Sequence, residues 1–377
     1  MTEQANYNTL SYLDRLYYST GGVMGLGIRG VALLALGLAV LVSGCGGGGG
    51  TGGTTLSYSV VVLPETNPGN SDALFVDSTG GIIGSTANAA APDGYAFCQW
   101  DSSTSLPHEL GIPVDTYSVH PPSGPHKMPY YIDSNGQLVN LLTGAVATPP
   151  AELFPEVLAV NSSGVCALRC YPDGAYADPK AAVWDGDGDI KILDVPADCE
   201  GGTEAGAING LGQVAGVGFD HEYAVVKIII WNSDGSVART FPPPTDYNPA
   251  AALALNDAGT VVVGSPFSAW SRNCSAAATI GVRGKVTHLA MPEYEVEIVA
   301  INNRGQVLGN DFLYPIVWSP NGRALQLPSP EPMTSIDPPV FEFICRATDI
   351  NDEGVIVGMA QDQRPMRVFP VKWAMSR

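Results

Sequence analysis

The chain has 377 residues, among them 44 Gly and 30 Pro, and only 15% of its residues are charged. This much Gly and Pro excludes a helical bundle or a coiled coil, whereas a hydrophobic fraction of 45% is enough for a core and excludes a disordered chain. The formal net charge of −19 argues against nucleic acid as a partner, because phosphates repel an acidic protein.

The first segment is predicted to be an export signal. Residues 31–42 (VALLALGLAVLV) are continuously apolar. A membrane-spanning helix needs about 18 such residues, whereas a secretory signal needs about 7–15. The run ends in VSGC at residues 42–45, and small residues before a cysteine resemble a bacterial lipobox. We therefore predict a lipoprotein signal peptide over residues 1–44 and lipid attachment at Cys45; an uncleaved anchor is the alternative.

Residues 45–55 are predicted to be the lipidated cysteine and a flexible Gly-rich tether. Stable anchoring needs more than one acyl chain, and the resemblance to bacterial lipoproteins implies multiple acylation. Gly46 replaces the Asp that often retains such proteins at the inner membrane. We therefore expect a cell-envelope protein, anchored by lipid at the outer membrane or cell surface. Met24 is an alternative start to Met1.

Residues 56–377 are predicted to be one repeat domain. Its segments share an apolar residue, then Asn, two variable residues, Gly and a further apolar run; one copy has Asp in place of Asn. The repeated turn residues are Asp77, Asn161, Asn209, Asn256, Asn302 and Asn351. The Asn residues recur every 46–49 residues, and Asp77 precedes the first of them by about two short periods. A degenerate copy near residues 119–124 therefore brings the modules to seven.

The repeated residues predict hairpins. Asn or Asp at the first position of a type I turn accepts a hydrogen bond from the backbone two residues on, and Gly at the fourth position supplies a positive φ. In four copies a second Gly follows four residues after the Gly of the turn, which predicts close approach of a neighbouring backbone. These residues are Gly84, Gly216, Gly309 and Gly358. Gly264 comes one residue late, which predicts a bulge.

A second hairpin follows in each module, with its turn after Trp184, Trp231 or Trp318, or after an Ile in two other modules. Two hairpins per module give four short strands, which predicts an all-β fold, a β-propeller of about seven four-stranded blades. The last module stops after its third strand, at Trp373. We therefore expect the N-terminal strand, residues 56–64, to complete the last blade and remove an exposed edge. Two stacked β domains are the alternative.

The repeated INxxGxVxG run, followed by a strand that ends in Trp, resembles the HAF family of extracellular repeat proteins. The second part is carried by AAVW at residues 181–184, IVW at 316–318 and VKW at 371–373. The resemblance covers most of residues 70–377. It implies secretion and a propeller-like repeat fold, and it implies no catalytic residues.

The remaining cysteines are Cys98, Cys166, Cys170, Cys199, Cys274 and Cys345. An even count in an exported protein favours disulfides. Cys166 and Cys170 are too far apart along one extended strand to bond to each other, and Cys199 is a plausible partner. No Cys-x-x-Cys pair or His cluster predicts a metal site. Residues 185–189 (DGDGD) are interpreted as a hairpin tip, with a calcium loop as the alternative.

The sequence contains no motif for a cofactor and no G-x-S-x-G elbow. The repeat tryptophans are interpreted as core, and Trp270, outside the repeat pattern, as a candidate exposed contact residue. Because the recurring residues are structural, we expect no catalysis, but a monomeric, lipid-anchored protein whose loops present a binding surface to an unidentified protein or glycan. The alternative is a carbohydrate-active enzyme, glycoside hydrolase-like, with carboxylates at the mouth of a central channel.

Overall fold

The computed structural model describes residues 57–376, except 67–68, 91–93, 115–129, 134, 175–177, 246, 248–250, 267–272, 293–294, 312, 332–342 and 364–365. The predicted signal peptide, Cys45, the tether, the degenerate turn near residues 119–124 and Trp270 lie outside the described residues. Within the described part the fold is all-β, with one 3-10 turn at Ala151–Leu153 and no α-helix. No helix in this part is long and apolar enough to cross a membrane.

The strands follow one another at short intervals. The first half contains β1 (Tyr58–Val62), β2 (Ser71–Val76), β3 (Ile82–Ala87), β4 (Tyr95–Trp100), β5 (His108–Pro113), β6 (Tyr130–Ile132), β7 (Leu138–Asn140), β8 (Val146–Ala147), β9 (Glu156–Val160), β10 (Cys166–Cys170), β11 (Lys180–Trp184) and β12 (Lys191–Ile192). The second half contains β13 (Gly202–Ile208), β14 (Val214–Phe219), β15 (Val225–Trp231), β16 (Val237–Phe241), β17 (Ala251–Leu255), β18 (Val261–Pro266), β19 (Asn273–Ile280), β20 (Val286–His288), β21 (Val296–Ile301), β22 (Val307–Asn310), β23 (Pro315–Trp318), β24 (Ala324–Gln326), β25 (Phe343–Ile350), β26 (Ile356–Gln363) and β27 (Met366–Met375).

The strands pair antiparallel in chain order, so that each module forms its own sheet. The sheets are β2-β3-β4-β5, β6-β7-β8, β9-β10-β11-β12 and β13-β14-β15-β16, followed by an eight-stranded sheet over β17–β24. The last of these contains two modules, because the start of β19 also pairs with β21. Hairpins follow Ile132, Trp184, Trp231, Ile280 and Trp318, as the sequence predicts.

The last sheet combines the two ends of the described chain, in the order β1-β27-β26-β25. Strand β1 pairs antiparallel with β27, with Val60 opposite Trp373. The connection to β2 continues this attachment, since the backbone N–H of Leu63 donates to the carbonyl of Pro370 at 2.8 Å. The predicted pairing of the N-terminal strand with the last strand is therefore present.

The first strands of six modules carry a bulge, and in four of them the second Gly of the repeat lies at the bulge, namely Gly84, Gly216, Gly309 and Gly358. The register shifts in β2, β9, β13, β17, β21 and β25. A Cβ built on Gly84 would lie 1.9 Å from the carbonyl oxygen of Asp72, and one on Gly216 would lie 2.0 Å from that of Glu204. The predicted close backbone approach is confirmed, and the bulge expected only near Gly264 is a feature of all these modules.

The core lies between successive sheets. In one cluster Ala159 and Leu193 of one module pack against Ile208 and Trp231 of the next. Indole N–H groups stabilise the same junctions: Trp231 Nε1 donates to the carbonyl of Asp194 at 2.7 Å, and Trp373 Nε1 to that of Pro328 at 2.7 Å. Each sheet therefore buries both faces against its neighbours, and the first sheet packs against β25, β26 and β27 of the last.

Candidate functional site

The repeated Asn side chains lie buried in the hairpins between the first and second strands of their sheets. The Oδ1 atom of each accepts the backbone N–H four residues on, at 2.8–3.0 Å. In Asn161, Asn209 and Asn302 the same atom also accepts the N–H two residues on. Asp77 Oδ1 accepts both corresponding N–H groups at 2.8 Å. The carbonyl end of the side chain therefore holds the turn.

The amide end of each Asn side chain binds the neighbouring module. The Nδ2 donors and their carbonyl acceptors are Asn161 to Asn209 at 3.0 Å, Asn209 to Asn256 at 3.1 Å, Asn256 to Asn302 at 3.0 Å, Asn302 to Asn351 at 3.0 Å and Asn351 to Asp77 at 2.8 Å. We call this set the Asn chain. It explains why the repeat uses Asn: a carboxylate can hold the turn but has no amide to donate to the next module.

A second set of hydrogen bonds joins the residues that follow these Asn residues. The N–H of Gly210 donates to Asp257 Oδ1 at 2.8 Å, that of Asp257 to Asn303 Oδ1 at 2.8 Å and that of Asn303 to Asp352 Oδ1 at 2.7 Å. The amide of Asn303 also donates to both Asp257 and Asp352, at 2.9 Å each. The turns that begin at Asn209, Asn256, Asn302 and Asn351 are the turns of modules four to seven. Each of these turns is therefore joined to the next by both sets of hydrogen bonds.

A row of mostly polar residues crosses the sheets, near the start of the first strand of six modules. Five residues before the six turn residues stand, in order, Asp72, Glu156, Glu204, Ala251, Glu297 and Arg346. Their cross-strand partners are, in the same order, Ser85, Arg169, Val217, Gly264, Asn310 and Met359. We call these positions the charged layer. Four of its six first-strand residues are acidic, in contrast to the Asn chain, where the residue type repeats.

Arg169 is the centre of the charged layer on one side of the molecule. Its side chain is buried and its guanidinium contacts two carboxylates, that of Glu156 on its own sheet and that of Glu204 on the next. The Nη1 atom lies 3.0 Å from Glu204 Oε2, and Nη2 contacts Glu156 Oε2. The ring of Tyr171 lies 5.9 Å from the guanidinium carbon. One buried cation thus bridges two carboxylates.

The other carboxylates of the layer also have donors within the protein. Arg346 Nη2 contacts Glu297 Oε2 across a sheet junction. Asn310 crosses the same junction, since its Nδ2 donates to the carbonyl of Ala347 at 2.9 Å and its Oδ1 accepts the N–H of Ala347 at 2.7 Å. On the first sheet, Asp72 Oδ1 accepts the N–H and the hydroxyl of Ser85, at 3.0 and 2.7 Å.

Burial sets the proton affinities in this layer. Desolvation raises the pKa of Glu204, and the attraction and hydrogen bond of Arg169 offset only part of that shift. Desolvation also raises the pKa of Asp72, against the hydrogen bonds from Ser85. For Arg169, burial favours loss of the proton, but the charges of Glu204 and Glu156 raise its pKa overall. Burial therefore favours the protonated form of Glu204.

Two clefts on the surface lie away from the charged layer. One cleft of about 190 Å³ is lined by Tyr130, Leu138, Gly164 and Asp185, and a second of about 320 Å³ lies between the first and last sheets. Neither is lined by a residue of the charged layer. No group of three or more His, Cys, Asp or Glu side chains among the described residues is placed to hold a metal ion. Residues 185–190 form the predicted hairpin turn between β11 and β12.

The predicted disulfide is absent. All six cysteines are buried, and no disulfide joins any of them in the part of the chain that the structure describes. Cys166 and Cys170 lie in a core with Trp184, whereas Cys199 packs in the core on the other side of that sheet, with Leu193. Burial raises the pKa of Cys166 to about 12 and that of Cys170 to about 11. These thiols therefore behave as small apolar core residues.

Sequence reasoning identified the turn residues and missed the charged layer. A signal was present, because aligning the modules on the repeated Asn places the charged residues in one column, five positions earlier. The bulge in each first strand hides this register from a simple alternation of apolar and polar residues. The repeat tryptophans that end third strands, Trp184, Trp231 and Trp318, are buried as predicted.

No model of a known protein family matches this chain, and no curated protein matches it. Among solved structures, it is similar to a prolyl endopeptidase, with 8% identity and a TM-score of 0.49 over 80% of this chain and 46% of that one. It is also similar to a puromycin hydrolase, with 13% identity and a TM-score of 0.47 over 80% of this chain and 52% of that one. The chain spans about half the length of each, and likeness at this level carries no information on activity.

Proposed function

We propose that this chain is a lipid-anchored cell-envelope protein whose modules form a closed β-propeller of seven blades, and that it acts by binding rather than by catalysis. Three observations support the ring: each described sheet packs on the next, the first sheet packs on the last, and the Asn chain ends on the carbonyl of Asp77. Strand β1 supplies the fourth strand of the last sheet, as closure of such a ring requires.

One observation carries the preference for binding. Glu156 and Glu204 lie on neighbouring first strands, and the buried guanidinium of Arg169 contacts both carboxylates. A glycoside hydrolase needs its two carboxyl groups to face each other across the bond that is cleaved, about 5–9.5 Å apart with the sugar between them. Here the space between the acids is filled by a side chain of the protein itself.

Further features support the location and the class of partner. The VSGC sequence that ends at Cys45 favours lipidation, and the Gly-rich residues 46–55 favour a flexible attachment. The repeated INxxGxVxG runs favour a relationship to the HAF family. A net charge of −19 disfavours nucleic acid as a partner, and we propose a protein or glycan as the partner of a monomeric protein.

The anchoring part of the proposal is tested by expressing the full chain in a Gram-negative host with a clickable fatty acid. We expect label on the wild-type protein and recovery in the membrane fraction. Cys45→Ser should lose the label and become soluble, whereas Gly50→Ser, a matched change in the tether, should keep both. Equal labelling of Cys45→Ser and the wild type would overturn the anchor.

A carbohydrate-active enzyme is the second candidate, and the raised pKa of Glu204 favours it. Desolvation favours the protonated form of Glu204, which is the form that a general acid needs, and Glu156 supplies a second carboxyl that contacts the same Arg169. The purified full chain is incubated with a panel of envelope polysaccharides, and reducing ends are measured. We expect no release by the wild type; release that disappears in both Glu204→Gln and Glu156→Gln would replace binding by hydrolysis.

A further inference from the structure

The cleft of about 320 Å³ lies where the first sheet meets the last. From the first sheet, Thr79 and the loop residues Asp101, Ser102 and Ser103 line it; from the last sheet, Glu353 and Lys372 line it. The volume is at the lower end of the range of about 300–1,000 Å³ that small-molecule sites occupy. It is large enough for one sugar-sized ligand.

The turn of the first module lines the cleft with small residues. At the junctions of modules four to seven, the positions after the repeated Asn hold side chains such as Asp257 and Asn303, which hydrogen-bond across the junction. In the first module the turn residues 78–81 are Ser-Thr-Gly-Gly. A Cβ built on Gly80 would meet no atom within 4 Å. The cleft therefore lies open beside the turn that contains Gly80.

The acidic side chains of the cleft have partners within the described part of the protein, whereas its lysine ammonium does not. The Glu353 carboxylate accepts a hydrogen bond from Arg304 Nη2 at 2.8 Å, and Asp101 Oδ2 lies 3.7 Å from His108 Nδ1. Lys372 is partly buried, and its side-chain ammonium makes no ion pair or hydrogen bond with any residue that the structure describes. A partly buried ammonium without a partner is costly, and a bound carboxylate would offset that cost.

Hydroxyl groups line the same cleft as this ammonium. The loop after β4 is held in place by its own hydrogen bonds, since Ser102 N–H donates to Ser105 Oγ and Ser105 Oγ donates to the carbonyl of Ser102, both at 3.1 Å. The hydroxyl of Ser103 makes no hydrogen bond within the described residues. Thr79 Oγ1 donates to Asp77 Oδ1 at 2.8 Å, which leaves its lone pairs to accept. The walls can thus both donate to and accept from hydroxyl groups.

We propose that this cleft binds an acidic sugar, with Lys372 paired to the sugar carboxylate and the serine and threonine hydroxyls on the rim bound to its hydroxyls. The inference rests on the proposed binding function and gives it a site and a ligand class. It fails separately from that function, because loss of the site leaves lipidation and any other binding surface intact.

The test is isothermal titration calorimetry on the full chain in detergent, with three probes: the methyl glycoside of glucuronic acid, methyl glucoside and succinate. We expect weak binding of the first, with Kd on the order of 1 mM, and binding of the other two weaker by about tenfold or more. Equal binding of methyl glucoside would overturn the role of Lys372, and equal binding of succinate would overturn the role of the hydroxyls.

Variants test whether the glucuronoside binds in this cleft. Lys372→Met should weaken glucuronoside binding by about tenfold, and Lys372→Arg should keep most of it. Lys285→Met changes an exposed lysine on a distant hairpin and should bind as the wild type does. Ser103→Trp should block the cleft without changing its charge. Thermal unfolding of each variant shows that it is folded; folded Lys372→Met that binds as tightly as the wild type, or a wild type that does not bind, would refute the site.

Discussion

The two ends of the first strands differ in how they join one module to the next. At the turn end, the Asn chain repeats one side chain and one backbone acceptor at five successive junctions. At the charged layer, five residues earlier, the equivalent position is a carboxylate, an alanine or an arginine, and its partners change as well. The repeated Asn residues therefore supply a hydrogen bond that joins each of their modules to the next. The residues of the charged layer, in contrast, differ from one module to another.

The largest effect on stability is expected from deletion of β1, the edge strand of the last sheet. Deleting residues 56–64 should abolish the cooperative unfolding transition in calorimetry, because it leaves one edge of the long strand β27 without a partner and exposes part of the core around Trp373. Deleting residues 46–55, which are only the tether, should leave the transition unchanged. A full transition at the wild-type temperature in the first deletion would show that the ring does not depend on β1.

Within the charged layer, we expect substitution of Arg169 to lower the free energy of unfolding most. Arg169→Met leaves the buried Glu204 without its cation and should lower the free energy of unfolding at pH 7 by about 3–5 kcal/mol. Because a protonated Glu204 needs no cation, the loss should be smaller at about pH 4.5. Urea unfolding at both pH values measures this.

The control for Arg169 is Arg304→Met, which removes the exposed ion pair with Glu353. That change should cost no more than about 1 kcal/mol. Equal losses in the two variants would mean that burial does not distinguish the charged layer from the surface.

The Asn chain should respond less, because one link of it is a neutral hydrogen bond. Asn302→Ala removes the donor to the carbonyl of Asn351 and the acceptor of the N–H of Gln306, both buried. We expect a loss of about 2–3 kcal/mol in urea unfolding. Asn321→Ala, in an exposed turn on the same module, should cost less than about 1 kcal/mol. If the two variants lose the same amount, the link between modules contributes nothing beyond the turn.

The fold was more predictable than the site for a physical reason. Turns need particular residues, so Asn209, Gly216 and Trp231 could each be assigned a place from spacing alone. Hydrogen bonds between modules have no such signature, because the acceptor of Asn209 is a backbone carbonyl and any residue provides one. The disulfide prediction was wrong because counting cysteines does not reveal that Cys166 and Cys199 lie on opposite faces of one sheet.

The smallest effect concerns a carboxyl that lies outside the repeat, on the connection between β1 and β2. Burial raises the pKa of Glu65 to about 7, although the N–H of Gly69 donates to its carboxylate at 3.1 Å. The folded state therefore binds more protons than the unfolded state between about pH 4.5 and 7, so that stability falls as the pH rises through this window and stays lower above it.

Glu65→Gln should remove this dependence. Solvent exposure reduces the effect, so we expect the wild type to lose about 1–2 kcal/mol more than the variant between about pH 5 and 8 in urea unfolding. Glu152→Gln, an exposed change on the 3-10 turn, should behave as the wild type does. Because Glu65 lies at the same end of β2 as Asp72, an identical pH profile in wild type and Glu65→Gln would assign any remaining slope to the charged layer itself.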